Sequence, residues 1–144
     1  MKRVYLAQTD TTAGFLSQDA ARLAAIKGRD PKKPFLREAD SLATLKNFAR
    51  IPKKYKKRVR RARRTTFVYP NGEALRVVFD EAHLRFLRRF GWMYSTSANR
   101  SGEEFDLEFA KEAADVVAED ERGLFAGKPS KIVRLNKGKI KKVR

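Results

Sequence analysis

Residues 95–102 form the part of the sequence whose side chains are best suited to hold phosphate and ribose oxygens. They read Ser-Thr-Ser-Ala-Asn-Arg-Ser-Gly. The preceding residues 91–94 predict the end of a helix and a short buried strand, and a new helix is predicted to start near Asp106. Open α/β sheets place ligands in loops at the C-terminal ends of strands, where backbone N–H groups, hydroxyls and amides can converge. By composition alone, an ordinary polar turn is the simpler interpretation.

Three other polar segments follow predicted strands or helices, at residues 9–14, 27–33 and 128–131. In the second of these, Lys27 and Arg29 flank Gly28 at a predicted helix end. Two solvated cations suit that position because they oppose the negative end of the helix dipole. The same pair also suits a triphosphate, since arginine offers a planar fork of donors and lysine a point charge. Neither common glycine-rich phosphate loop is present in the sequence.

The length, charge and composition of the chain indicate a basic, folded domain that binds polyanions. The chain has 144 residues, a formal charge of +17, one histidine and no cysteine. This length predicts one domain with a real core, and the charge indicates nucleic acid, nucleotides or an acidic surface as partners. Without cysteine there is no disulfide or thiolate metal site, and a single histidine makes a histidine-based metal site or catalytic triad improbable. His83 is expected to pack on a helix, and no metal site is predicted.

Hydropathy predicts a cytoplasmic protein without a membrane partner. No stretch approaches the roughly 18 apolar residues of a membrane span. The apolar residues 4–7 are too few for a secretory signal and predict a first strand.

Helices and strands alternate, with two hairpins among them. Strand signals lie in residues 4–7, 34–36, 65–69, 74–79, 91–94, 115–118, 132–135 and 140–143, with turns at 70–72 and 136–138. Helix signals run from Ser17 or Asp19 to Lys27, from Asp40 or Ser41 through Ala49, from Asp80 to Phe90, and over residues 107–114. The pattern predicts an α/β (α+β) fold: one domain, residues 1–144, with a twisted mixed sheet and helices packed on it.

Residues 53–64 carry nine Lys or Arg among twelve positions. Only Tyr55, Val59 and Ala62 are apolar, and their spacing of four and three predicts one narrow stripe that faces a core. Such a run is often a solvated face. Like charges at this density repel one another, so an RNA-binding surface is the preferred interpretation, with Tyr55 as a stacking side chain. The predicted RNA-binding residues are Lys53, Lys54, Lys56, Lys57, Arg58, Arg60, Arg61, Arg63 and Arg64.

Taken in chain order, the polar segments resemble one known family. Thr9-Asp10-Thr11 is followed by Gly14, and Lys27-Gly28-Arg29 by Pro34. Then come Ser97-Ala98-Asn99 with Ser101-Gly102, and Pro129-Ser130 before Ile132-Val133. This is the motif order of the YrdC-type threonylcarbamoyl-AMP synthases, over roughly residues 4–135. The Ser-Ala-Asn segment is the most specific part of the resemblance. The chain departs from the family's pattern at Ala13, at residues 61–64 and at Lys131, and its segment between Thr11 and Lys27 is short.

The resemblance implies a reaction and its partners. L-threonine, bicarbonate and ATP, with Mg²⁺ carried on the phosphates, would give threonylcarbamoyl-AMP and pyrophosphate for tRNA modification. RNA, as tRNA or double-stranded RNA, and other proteins of that tRNA pathway are the implied macromolecular partners. The family's fold is a twisted mixed sheet with a wide basic face.

The resemblance also assigns roles to individual residues. The implied catalytic residues are Lys27 and Arg29, both expected to be exposed in a cleft. The implied ATP ligands are Lys27, Arg29, Lys33, Thr66, Ser97, Asn99 and Arg144. The implied threonine ligands are Thr11, Ser95 and Ser130.

Two other interpretations remain open from the sequence. One is a non-catalytic RNA-binding module on the same fold, which would bind RNA but not turn over nucleotide. The other is a basic ribosome-associated protein outside this family, in which residues 95–102 would lie away from Lys27.

Overall fold

The computed structural model describes residues 2–136 and 139–144. Its strands, in chain order, are β1 (Tyr5–Gln8), β2 (Ala13–Ser17), β3 (Leu36–Ala39), β4 (Thr65–Val68), β5 (Ala74–Val77), β6 (Trp92–Ser97), β7 (Val116–Ala118), β8 (Lys131–Asn136) and β9 (Lys139–Lys142). Its α-helices are α1 (Ala20–Lys27), α2 (Leu42–Leu45), α3 (Lys56–Arg61), α4 (Glu81–Leu87) and α5 (Leu107–Ala113), and a 3-10 helix, Lys53–Tyr55, precedes α3.

The chain divides into two compact units. The first comprises the chain up to Phe35 together with Met93–Pro129, and the second comprises Leu36–Trp92 and Ser130–Arg144. Each unit has parallel and antiparallel strand pairs with helices beside them, so the predicted mixed α/β fold class is confirmed. The assignment of the whole chain to one domain stays a prediction.

In the first unit the strand order is β7-β1-β2-β6. β1 runs antiparallel to β2 and parallel to β7, and β2 runs antiparallel to β6. Phe15 of β2 lies at the centre of the core, fully buried, and meets Phe109 of α5 edge to face with ring centroids 6.1 Å apart. Leu6 and Leu23 are equally buried around it.

The sequence prediction omitted β2. All five of its residues are buried, because β1 and β6 pair with its two edges while residues of α1 and α5 pack in the core around it. A strand covered on all sides shows no polar–apolar alternation, and this one is too short to stand out as an apolar run. The helix predicted after it is confirmed, whereas Ala13 and Gly14 at the end of the predicted polar segment 9–14 belong to β2.

Helix α1 has the capping residues that the sequence predicts. The Asp19 carboxylate accepts a hydrogen bond from the Arg22 N–H at its start, and Gly28 adopts φ 64° at its end. A left-handed backbone costs glycine little, so the helix can stop there and turn its last residue, Lys27, toward the loop after β6.

In the second unit the strand order is β3-β5-β4-β8-β9. β5 is parallel to β3 and antiparallel to β4, which confirms the hairpin predicted around residues 70–72. β8 and β9 also pair antiparallel, but Lys137 and Gly138 of the predicted turn lie outside the described residues. The core contains Leu45, Leu75 and Leu135, each at most 1% exposed.

Two helices of the second unit are shorter than predicted. α2 ends at Leu45 instead of Ala49, and α4 ends at Leu87 instead of Phe90. In both cases the chain continues in tight turns, with the Phe48 N–H bonded to the Leu45 carbonyl at 2.9 Å and the Phe90 N–H to the Leu87 carbonyl at 2.9 Å. Helix ends often tighten in this way, which apolar spacing does not distinguish from continued helix.

No helix in the described part of the chain is both long and apolar enough to cross a membrane.

Candidate functional site

Lys27 is the centre of the polar site in the first unit. Its ammonium donates hydrogen bonds to the Ser97 carbonyl and to Asn99 Oδ1, both at 2.9 Å, and approaches Ser97 Oγ at 3.4 Å. Lys27 therefore meets residues that follow it by 70 and 72 positions in the sequence, as the predicted phosphate site requires. The alternative in which residues 95–102 lie away from Lys27 is wrong.

The expectation that Lys27 is exposed is also wrong, because only 4% of its surface is accessible. A buried ammonium needs oxygen partners, and the β6 terminus and the following loop supply them. Burial and the nearby Arg29 charge lower the pKa of Lys27 to about 8. Both effects disfavour the charged form, so an anion at this point would be strongly favoured.

The loop after β6 is anchored on the end of α1. The Ser101 N–H donates to the Lys27 carbonyl at 3.0 Å, Ser97 Oγ donates to Asn99 Oδ1, and the Asn99 amide donates to the Arg100 and Glu103 carbonyls. The first three residues of the serine-rich segment belong to β6 rather than to a loop, and Ser95 among them is 6% exposed. Ser97 and Asn99 are thus held at the strand end beside the ammonium.

Arg29 and Lys33 extend the positive charge beyond Lys27. Arg29 is half-buried, donates from Nη2 to the Pro34 carbonyl at 2.9 Å, and stacks on the Phe35 ring with its guanidinium carbon 4.5 Å from the ring centroid. Its Nε is buried and has no hydrogen-bond partner among the described residues. A donor in that state is suited to a phosphate oxygen. Lys33 is exposed.

Thr11 lies in a turn that a later segment covers. Thr9 Oγ1 accepts from the Thr11 and Thr12 N–H groups at 3.1 and 3.2 Å. Thr12 Oγ1 in turn accepts from the Gly127 N–H at 2.9 Å. The backbones approach so closely that a Cβ atom on Gly127 would lie 2.0 Å from the Thr11 carbonyl oxygen.

Ser95 lies near this turn. A Cβ atom added to Gly14 would be 3.0 Å from Thr9 Cγ2 and 3.7 Å from Ser95 Oγ. Thr9 and the predicted threonine ligand Ser95 therefore both lie beside Gly14, and of these two contacts only the one with Thr9 is tight enough to favour glycine.

Three further predicted residues meet in the second unit. Thr66 Oγ1 and Ser130 Oγ lie 2.8 Å apart, and Arg144 donates to Ser130 Oγ at 3.1 Å and to the Ser130 carbonyl at 2.8 Å. β4 and β8 hold the two hydroxyls together, because these strands pair with Thr65 opposite Lys131. The pKa of Arg144 is lowered, first by burial and then by the charge of Arg76. We refer to Thr66 and Ser130 as the hydroxyl pair.

Sequence reasoning missed the ionic groups behind the hydroxyl pair. Arg76 donates to Thr66 Oγ1 at 3.4 Å and to Glu38 Oε2 at 2.8 Å, and His83 Nε2 bonds to Glu38 Oε1. All three side chains are at most 3% exposed. Their signal in the sequence is weak: Glu38 stands beside Arg37 in the four-residue strand β3, and Arg76 is the one charged residue of β5. The β3–β5 register places Glu38 directly opposite Arg76. The prediction that His83 packs on a helix is confirmed, and the carboxylate contact adds to it.

The nine cations of residues 53–64 are all exposed, and we call them the basic surface. The apolar stripe predicted beneath them is confirmed, with Tyr55 and Val59 in the core. The proposed stacking role of Tyr55 is wrong, because this ring is 5% exposed and its hydroxyl donates to the Asn136 carbonyl. Arg63 instead lies over the Phe79 ring, 3.8 Å from its centroid.

Comparison with known families gives a match over almost the whole chain. The Sua5/YciO/YrdC family model, described as "Telomere recombination", matches residues 9–144. A search of curated protein sequences finds no match.

Solved structures with the same fold include two of Sua5 from P. abyssi. A doubly substituted variant superposes with a TM-score of 0.84 at 20% identity, over 99% of this chain and 52% of that one. The complex with L-threonine gives 0.79 at 18% identity, over 99% and 50%. E. coli YciO gives 0.78 at 17% identity, over 99% and 82%. The chain spans about half the length of the Sua5 chains that it matches.

The fold, the grouping of Lys27 with Ser97 and Asn99, and the extent of the family match agree. The chain belongs to the Sua5/YciO/YrdC family.

Proposed function

We propose that this protein is an L-threonylcarbamoyladenylate synthase, a nucleotidyltransferase that forms threonylcarbamoyl-AMP and pyrophosphate from L-threonine, bicarbonate and ATP. The family membership supports this proposal. The observation that carries it is the meeting of Lys27 with Ser97 and Asn99 at the end of β6. The Lys27 ammonium, held at this strand end with Arg29 nearby, supplies the positive charge and the N–H donors that a nucleotide's phosphates need.

The reaction needs positioning and charge neutralisation more than acid–base catalysis. The threonine amine and bicarbonate form a carbamate with loss of water. A carbamate oxygen then bonds to the α-phosphorus of ATP as the bond to the pyrophosphate oxygen breaks. Negative charge accumulates on the phosphate oxygens, which fixed cations stabilise at no reorganisation cost. Mg²⁺ would arrive with ATP and be held mainly by phosphate oxygens and water.

In this proposal Lys27 and Arg29 neutralise the phosphates. Arg29 offers its buried Nε–H, and Lys27 offers an ammonium that the strand end already orients. Lys33 adds charge at the exposed side, and Ser97 and Asn99 bind the nucleotide. Thr66 and Arg144 stay predicted ATP ligands, and Thr11, Ser95 and Ser130 stay predicted threonine ligands.

The test is release of pyrophosphate that requires both L-threonine and bicarbonate. Arg29→Gln is the informative variant, because this half-buried side chain can be changed without leaving a buried ammonium's partners unsatisfied. We expect a loss of at least 100-fold in kcat/KM with an unchanged unfolding transition. Lys111→Gln, at an exposed position of α5, is the matched control and should keep full activity. Full activity in Arg29→Gln would remove this residue from the mechanism.

A second candidate is an RNA-binding module on the same fold without turnover. The basic surface favours it, because nine exposed cations on one short segment suit a polyphosphate backbone such as tRNA or double-stranded RNA. Thermal shift measurements separate the two candidates. A ligand at 100 times its dissociation constant stabilises the folded state by about 2.7 kcal/mol. A synthase should therefore respond to ATP–Mg²⁺ and to L-threonine, whereas the module should respond to neither.

A further inference from the structure

Six polar side chains of the second unit form one connected array. It runs from His83 to Glu38, Arg76, the hydroxyl pair and Arg144 through the hydrogen bonds described above. The array joins α4, β3, β5 and β4 to Ser130 and Arg144. We propose that Glu38 is a positioning residue, which holds Arg76 against Thr66 so that the hydroxyl pair can act as a donor to the carboxylate of the amino-acid substrate. This inference rests on the proposed function for the identity of that substrate.

The hydroxyl pair has one proton more than its own hydrogen bonds use. The two hydroxyls hold two protons and four lone pairs. One proton and one lone pair make the bond between them, and Arg76 and Arg144 each donate to one more lone pair.

Either hydroxyl can be the donor within the pair, and the result is the same. If Thr66 donates, both lone pairs of Ser130 are occupied, by Thr66 and Arg144, and Ser130 keeps a spare proton. If Ser130 donates, both lone pairs of Thr66 are occupied, by Ser130 and Arg76, and Thr66 keeps it. The oxygen with the spare proton can therefore only donate.

That spare proton has no acceptor among the described residues, although Thr66 and Ser130 are 1% and 2% exposed. A buried donor without an acceptor is costly, so an acceptor group from a ligand is favoured. The Arg144 guanidinium next to it favours an anion, whereas Glu38 balances the charge of Arg76. A carboxylate fits both requirements, whereas an ammonium group, which can only donate, fits neither.

Glu38 holds Arg76 in the position from which Arg76 donates to Thr66. The Glu38 side chain is fully buried and both of its oxygens are engaged, one by Arg76 and one by His83. His83 must donate from Nε2 to a carboxylate, and its Nδ1 is buried without a partner among the described residues. A carboxylate held from two sides fixes the guanidinium in one orientation. Buried ion pairs contribute little net stability compared with apolar packing, so folding alone does not account for the pair.

The experiment compares steady-state pyrophosphate release by the wild type, Glu38→Gln, Arg76→Gln and the double variant. Glutamine keeps the size of Glu38 but removes the charge that holds Arg76. We expect KM for L-threonine to rise at least tenfold in each single variant, more than KM for ATP rises, with kcat within twofold. Because both residues act through one contact, the double variant should be no worse than either single variant. Glu81→Gln, which removes an exposed ion pair on α4, should match the wild type.

Stability and a spectroscopic signal provide separate readouts. The double variant removes both buried charges and should regain the thermal stability that each single variant loses, while its KM for L-threonine stays high. His83 is the chain's only histidine. Its ring nitrogens can therefore be assigned directly by NMR, and Nε2 should carry a proton in the wild type.

The outcomes distinguish this inference from the proposed function. If the wild type turns over and Glu38→Gln has an unchanged or lower KM for L-threonine, the positioning role alone is overturned. An unprotonated Nε2 on His83 would overturn the array. A wild type that neither binds L-threonine nor releases pyrophosphate would overturn the proposed function and this inference with it.

Discussion

At the scale of residues, Lys27 determines what the first-unit site can do. Its ammonium is buried, is bonded to three oxygens of Ser97 and Asn99, and lies close enough to Arg29 for the two charges to repel. A lysine in this state carries a charge that can be lost at mildly alkaline pH. The site is therefore cationic at neutral pH and becomes less so as the pH rises through about 8.

Binding of ATP should reverse this loss of charge. At pH 8.5 much of Lys27 is neutral in the free protein, because its pKa is about 8. Phosphates beside the amine would raise its pKa again, so ATP–Mg²⁺ binding should take up a proton at this pH. Calorimetry in two buffers of different ionisation enthalpy measures the uptake. Lys27→Met should bind ATP–Mg²⁺ more weakly and without this uptake, whereas Lys111→Gln should retain it. Equal uptake in Lys27→Met would place the titrating group elsewhere.

The same pKa predicts how stability depends on pH. The folded-state value of about 8 lies below the ordinary value of 10.5, so the unfolded chain binds more protons between these two pH values. The free energy of unfolding should therefore rise with pH across this window, relative to Lys27→Met. Urea denaturation at several pH values between 8 and 10.5 measures it. Parallel pH profiles for the two proteins would contradict the lowered pKa.

At the scale of elements, two glycines control the segments around the first-unit site. Gly28 lets α1 end in a left-handed residue immediately after Lys27, and a Cβ atom there would meet nothing within 4 Å. Gly127 instead allows a close approach between two backbones, at the Thr11 carbonyl. The first glycine is required by backbone conformation and the second by space.

Alanine at these positions should therefore have different effects. Gly28→Ala adds only the cost of a left-handed alanine, about 1 kcal/mol of unfolding free energy. Gly127→Ala must move one backbone segment, so it should cost more and should also weaken L-threonine binding if Thr11 is a ligand. Urea denaturation and calorimetry with L-threonine measure the two effects. A Gly127→Ala protein as stable as the wild type would show that the segment moves freely.

At the scale of the whole molecule, charge is the dominant feature. The net charge of +17 is concentrated in part on the basic surface, whose nine side chains all face solvent while Tyr55 and Val59 anchor the segment in the core. An exposed array of this kind binds by counterion release, which gives affinity for nucleic acid without a need for sequence readout.

In the proposed RNA-binding role, the affinity for RNA should therefore depend steeply on salt, and on this surface in particular. Each lost phosphate contact lowers the slope of log affinity against log salt by about 0.7–0.9. Replacement of Lys53, Lys54 and Lys57 by glutamine should lower the slope by up to about 2–3. The matched control replaces Lys46, Lys111 and Lys141, which are also exposed, and changes the net charge equally. Equal effects in the two triple variants would assign binding to net charge and not to this surface.

Local chemistry in the sequence predicted most of the helices and strands. Asp19, Asp80 and Asp106 each cap the helix that follows, and Gly28 and Gly91 take the positive φ that ends a helix or turn. These features depend on neighbours a few residues away, so the sequence displays them directly. The apolar stripe of residues 53–64 could be predicted for the same reason.

Features that depend on distant segments could be predicted only in part from the sequence. β2 is a strand because β1 and β6 flank it, and Lys27 is buried because a strand end 70 residues later covers it. Glu38, Arg76 and His83 are unremarkable in sequence, and their pairing arises from strand register and the placement of α4.

The family resemblance, the caps, the turns and the basic surface follow from the sequence alone, because each depends on residue types at short spacing. Which charges are buried, and which partners satisfy them, depends on the tertiary structure. A charge can enter the core only where separate chain segments together supply its counter-charge and hydrogen bonds, and that supply exists only after the chain has folded.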